Sequence, residues 1–134
     1  MFEKLIDLLD RANDGCDYYD ALIYQYLHGG TVEQLQSGEY VVKAEDGDWI
    51  ITSRSFWPTK DMNSAFKFMY DTLKICSLTL IDDPSGTSAD ITYWPNGLSE
   101  KYYMAKGMSW TPELSICAAV IRVIHASSVV IEEA

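Results

Sequence analysis

The side chains that most often carry chemistry are few in this chain and far apart. Histidine occurs at positions 28 and 125, and cysteine at 16, 76 and 117. A metal site needs three or four ligands that converge at short spacing, and HxH, HExxH and CxxC are all missing. The expectation is no bound metal and no cofactor. Cys117 and His125 are candidates for a nucleophile and its base. Eight residues on one helix place them about 12 Å apart along its axis, beyond hydrogen-bond reach. Cys117 then reads as a small buried hydrophobe, and His125 as a helix-capping or satisfied core histidine. The glycines make neither GxGxxG nor GxxxxGK[ST]. Asp82-Asp83 stands before Pro84 and reads as turn chemistry. The expectation is a protein without enzymatic activity.

Two other groups of residues suit recognition. Glu3, Asp7, Asp10 and Asp14 recur at steps of four, three and four, with Asp17 and Asp20 beyond a break. Carboxylates on successive helical turns lie about 5–6 Å apart and could meet a basic surface, although a solvated helix face has the same pattern. The second group is aromatic. Tyr93, Trp94, Tyr102, Tyr103 and Trp110 crowd one stretch, with Phe56-Trp57 earlier. Alternation on a strand forbids Tyr102 and Tyr103 from both facing inward, so at least one reaches the surface. Tyr and Trp bring large apolar area with a polar handle, which suits a binding anchor.

The elements that must position these groups fit one domain of 134 residues, with 48% apolar residues and 13% aromatics. The net charge is −10, and residues 1–48 carry −8 of it. Such a balance disfavours direct contact with nucleic-acid phosphates or an anionic bilayer. It leaves a basic protein partner open, and solubility alone also accounts for it. The first residues are acidic, unlike a targeting peptide, and no apolar run approaches 18 residues. With no paired cysteine spacing, the expected compartment is a reducing cytoplasm.

Periodicity predicts an amphipathic helix over 2–13 and a second over 17–27, with Tyr18, Ala21, Leu22 and Tyr26 facing inward. Residues 39–43 and 49–52 form a hairpin about Asp46-Gly47. A third helix follows Pro58, capped by Thr59 or Asp61, with Met62, Ala65, Phe66, Met69 and Leu73 as its stripe. Residues 76–107 read as a three-stranded antiparallel meander. Thr111-Pro112 opens the last helix, whose face holds Leu114, Cys117, Ala118 and Ile121. Phe66, Met69, Leu73, Leu78, Leu80, Leu114, Cys117, Ala118 and Ile121 form the expected core. The fold class is mixed α/β (α+β): a layered sandwich with a mostly antiparallel sheet of four to five strands, flanked by helices.

Two segments carry a resemblance. SFWPTKDMNSAFKFMYDTL (55–73) has an aromatic, Pro, Thr, x, Asp run that opens a helix. GMSWTPELSICAAVIRVIHA (107–126) has a Thr-Pro-x-Leu-x-Ile-Cys-x-Ala run. In this order, with Asp20-Ala21-Leu22-Ile23 before them, they resemble the phage ABA-sandwich domain family, over about residues 17–126. The helix at 2–13 is then an addition within the single domain 1–134. The resemblance implies a compact layered fold and a phage or prophage context, but no activity. The functional expectation is an accessory protein that binds a host protein with a basic surface and inhibits an antiviral defence. Asp7, Asp10, Asp14, Asp17, Trp94, Tyr102 and Tyr103 would make that contact. The alternative is a homo-oligomeric sponge for a small anionic nucleotide. Trp57, Arg54, Lys106 and Trp110 would hold the ligand.

Overall fold

The computed structural model describes residues 2–46, 49–52 and 55–133, with backbone alone at 49–52 and 129–133. Gly47 of the expected hairpin turn and Arg54 lie outside the described residues. The chain order is α1 (Phe2–Arg11), α2 (Asp17–His28), β1 (Thr31–Gln34), β2 (Tyr40–Lys43), β3 (Trp49–Thr52), α3 (Met62–Leu73), β4 (Cys76–Asp83), β5 (Gly86–Tyr93), β6 (Tyr103–Ser109) and α4 (Pro112–Glu133). The class is mixed α/β and layered, with antiparallel pairing throughout the described strands. The strands fall into two sheets, β1-β2-β3 and β4-β5-β6.

Helix α4 organises the core. Every residue from Leu114 to Ile121 is buried. It lies on one face of the β4-β5-β6 sheet, against β5 and β6, and α1 and α3 pack on its other sides. An all-round apolar helix is stable only in such a place. Thr111 accepts a hydrogen bond from the Leu114 N–H at 3.2 Å, and Pro112 takes the first helical position, where its missing donor costs nothing. The backbones of β6 and α4 touch at Gly107. A Cβ there would lie 2.0 Å from the Ser115 carbonyl oxygen, so glycine alone fits.

Several expectations need correction. In α2, Ala21 is buried and Leu22 and Tyr26 pack half-buried against the core, whereas Tyr18 is exposed and Asp20 and Ile23 are buried as well. A buried hydrogen bond from the Thr59 N–H holds Asp20 inward. The α3 cap is Asp61, which accepts from the Ser64 N–H at 2.9 Å. Thr59 is buried and engaged elsewhere. Phe68 is buried and Phe66 only half-buried, because α3 presents Phe68 to Phe56 in an edge-on contact. Leu78 and Leu80 face the core but are also half-buried, because α4 covers β5 and β6 and not the far strand. His125 is no terminal cap, since α4 continues to Glu133. Its ring stacks on Phe2 at 3.7 Å, and its Nδ1 lies 3.4 Å from the Tyr26 hydroxyl. Strand β1 carries no alternation of apolar residues, which is why the sequence reading passed over it.

Candidate functional site

The second sheet has one face on α4 and one open face. Its register lays out the open face row by row. Ser77, Thr92 and Met104 form one row, Thr79, Asp90 and Lys106 the next, and Ile81, Ser88 and Met108 the third. The Trp94 N–H donates to the Ile75 carbonyl at 3.0 Å, so the ladder continues past the strand end. Trp94 and Tyr102, with ring centroids 6.3 Å apart, extend the face there.

Along β6 the alternation gives an unbroken exposed series. Tyr102 is 55% exposed, Met104 65%, Met108 62% and Trp110 60%, and Lys106 stands between the methionines. Five residues at alternate positions span about 27 Å. Lys106 Nζ lies 3.7 Å from an Asp90 carboxylate oxygen, an exposed pair across the middle of the face. Four large apolar side chains are thus exposed around one lysine, and methionine adapts its shape to varied partners. Tyr103 alternates to the other side and is half-buried, with the Lys101 ammonium 5.6 Å from its ring centre.

The acidic row is not one free face. Asp7 pairs with Arg11 on the surface. Asp10 pairs with Arg122, whose Nη1 also donates to the Lys106 carbonyl at 3.1 Å. Asp14 accepts from the Gly15 N–H, and Asp17 pairs with Lys60. Asp20 leaves the surface altogether. It is 1% exposed and accepts the Thr59 N–H at 2.8 Å. Thr59 is held from a second side by Gly15 and Cys16. A Cβ on Gly15 would strike the Thr59 carbonyl, and the Cys16 N–H donates to the Thr59 hydroxyl at 3.2 Å. Burial pushes the Asp20 carboxyl up to about 7, against the hydrogen bonds from Thr59 and the charge of Lys60. Its other oxygen has no hydrogen-bond partner among the described residues. The pair joins α2 to the loop before α3, and spacing along the sequence offers no sign of it across 39 residues.

Of the expected ligand-holding residues, the described ones, Trp57, Lys106 and Trp110, line three different hollows. Trp57 lines a groove of about 300 Å³ with Phe56 and Lys67, and Lys67 pairs with Asp71. Trp110 lines a hollow of about 240 Å³ with Asp10, Asp83 and Ser85. Lys106 lies beside Asp10 and Arg122 in a third. A cleft of about 570 Å³ among Leu27, His28, Phe56, Phe68, Tyr93 and Ile124 was not foreseen, because four separate elements build it. Burial raises the Cys117 thiol, and the charges of Asp20 and Glu113 add to this, so it stays protonated. Among the described residues, no three His, Cys, Asp or Glu side chains gather as metal ligands. No described helix is long and apolar enough to cross a membrane.

Comparison with known proteins gives no match to a family model, to a curated protein or to a solved structure.

Proposed function

We propose that the chain is a non-enzymatic binding protein that docks on another protein through the open face of β5 and β6. The observation that carries this reading is the exposed series Met104, Lys106 and Met108 on one side of β6, continued by Tyr102 and Trp110 just beyond its two ends. Large flexible and aromatic side chains on a rigid sheet supply contact area at low ordering cost. The partner surface is apolar at its centre and basic at its rim, since the chain carries −10 overall. The resemblance of residues 55–73 and 107–126 to a phage family supplies the setting. The chain is then a phage or prophage product acting in the host cytoplasm, and inhibition of an antiviral defence is the role such a small acidic binder serves.

The sponge reading requires cations around an aromatic pocket. The large cleft is lined by His28 and Asp71, and the groove beside Trp57 holds a lysine already paired with Asp71. Among the described residues, neither presents the convergent basic groups that an anionic nucleotide needs.

The test is native mass spectrometry of the protein purified from host cells, with Met108→Glu, Trp110→Ala and Trp57→Ala variants confirmed as folded. The wild type and Trp57→Ala should retain a protein partner, and the two open-face variants should lose it. A retained small anionic ligand, or equal retention by every variant, would overturn the reading.

A further inference from the structure

We infer that the chain forms a two-fold dimer by pairing β4 with β4 of a second copy, antiparallel and centred on Leu78. Strand β4 has β5 on one side and, among the described residues, no strand on the other. The phase of its hydrogen bonds fixes what that edge offers. Because the Ile75 carbonyl bonds to Trp94, the odd-numbered residues of β4 turn their backbone groups toward β5. The even-numbered residues, Cys76, Leu78, Leu80 and Asp82, turn theirs outward. An antiparallel copy can satisfy them only in registers that pair even with even.

The side chains choose among those registers. Centring on Leu78 sets Cys76 against Leu80 of the partner copy and Ser77 against Thr79. It sets Ile75 against Ile81, which are 42% and 49% exposed in the single chain. It also brings Lys74, the C-cap of α3 at φ 61° and so not itself part of the ladder, to the end of the interface near Asp82, within reach of its long flexible side chain. Both ends of the interface then carry an isoleucine pair and an opposite-charge pair, each formed twice by the symmetry. Shifting the centre by one residue to Thr79 sets Ile75 against Asp83 and Ile81 against Ser77, and both matches are lost. Burial points the same way. Leu78 and Leu80 are only half-buried on the core side, whereas Ala89 and Ile91 of β5, in the same layer, are closed over. A second copy would cover that open flank. The product is one six-stranded sheet in which the two β6 strands lie about 24 Å apart, each with its exposed series on the same open face.

Sedimentation of the full chain over a concentration series tests this. A species of twice 15.2 kDa should appear and dissociate on dilution. Asp82→Lys alone should weaken the dimer roughly tenfold or more, and the double exchange Lys74→Asp with Asp82→Lys should restore it. Ile81→Thr should weaken it without changing the fold of the monomer, as read by circular dichroism. A monomer at about 100 µM, or a dimer indifferent to both the charge reversal and Ile81→Thr, would overturn the proposal. So would a weakened Asp82→Lys dimer that the double exchange fails to rescue.

Discussion

Strands β4 and β6 bound the same sheet, and the chain finishes the two edges differently. At β6 the backbone is held from outside. Arg122 reaches over from α4 to donate to the Lys106 carbonyl, and Asp10 of α1 holds the guanidinium in place. Ser109 donates to the Leu9 carbonyl at 3.4 Å, and Gly107 presses against α4. Among the described residues, β4 has no such clasp, and its inward leucines remain half-open. An edge left unblunted invites another strand. The contrast assigns two jobs to one sheet: β6 presents side chains for recognition, and β4 presents backbone for pairing.

The sharpest way to break this contrast is at Gly107. A Cβ there would stand 2.0 Å from the Ser115 oxygen and 2.7 Å from the Ala119 nitrogen, both backbone atoms of α4. Gly107→Ala should cost about 3 kcal/mol or more, because neither backbone can yield without moving the core. Thr79→Ala, exposed on β4, should stay within about half a kcal/mol. Urea unfolding of the two variants measures both. Equal losses would mean that β6 is no more fixed than β4.

The next effect separates folding from pairing. Asp20 has its carboxyl raised to about 7 in the folded chain, against 3.8 unfolded. A raised folded value means that the stability is fully present below about pH 4 and is lost as pH rises through 7. The loss should reach on the order of 2–4 kcal/mol. Asp20→Asn keeps an acceptor for the Thr59 N–H and has no charge to bury, so its stability should be flat between pH 5 and 8. The wild-type slope arises within one chain and should not vary with protein concentration, unlike any contribution from β4 pairing. A slope that persists in Asp20→Asn would place the titrating group elsewhere.

These two sites show what a sequence exposes and what it hides. The α4 stripe was legible because Leu114, Cys117, Ala118 and Ile121 repeat at helical spacing and the Thr-Pro start has a local cause. The meander was legible because Asp83-Pro84-Ser85-Gly86 and Pro95-Asn96-Gly97 punctuate it. Trp94 and Tyr102 were named as surface anchors, and the structure brings them together on the open face. Asp20 was hidden, because a carboxylate on a helix reads as solvated until its partner is known. That partner, the Thr59 amide, is a backbone group with no signature in the sequence. The pairings within the acidic row were hidden for the same reason. Arg122 is 112 residues from Asp10, and Lys60 is 43 from Asp17. Nothing local indicates which charges the fold will pair.

A smaller effect probes the β6 clasp. Arg122→Ala removes the donor to the Lys106 carbonyl and leaves the half-buried Asp10 without its cation. The pair is about one-third exposed, so solvent already screens part of it. A loss of about 1–2 kcal/mol is expected. The more telling readout is association. With the clasp gone, β6 should behave as a second open edge, and light scattering should show species larger than the dimer. If Arg122→Ala loses stability without further association, the guanidinium supports packing and does not guard the edge.

The smallest effect divides the backbone of one residue from its side chain. The carbonyl of Lys106 is held by Arg122, while its ammonium stands on the open face near Asp90. The side chains of that pair are 55% and 41% exposed, and such pairs contribute little in water. Lys106→Ala should therefore change stability by less than about half a kcal/mol and leave the edge closed. It should, however, alter recognition, because Lys106 is the one charge inside the apolar series of β6. Against a partner with a basic rim, its removal should speed association and steepen the salt dependence by a small amount. Against an anionic small molecule, the same variant should abolish retention. One substitution too slight to disturb folding thus sets the protein-binding and nucleotide-binding readings apart, through the sign of a rate measured on a chain whose edge remains closed.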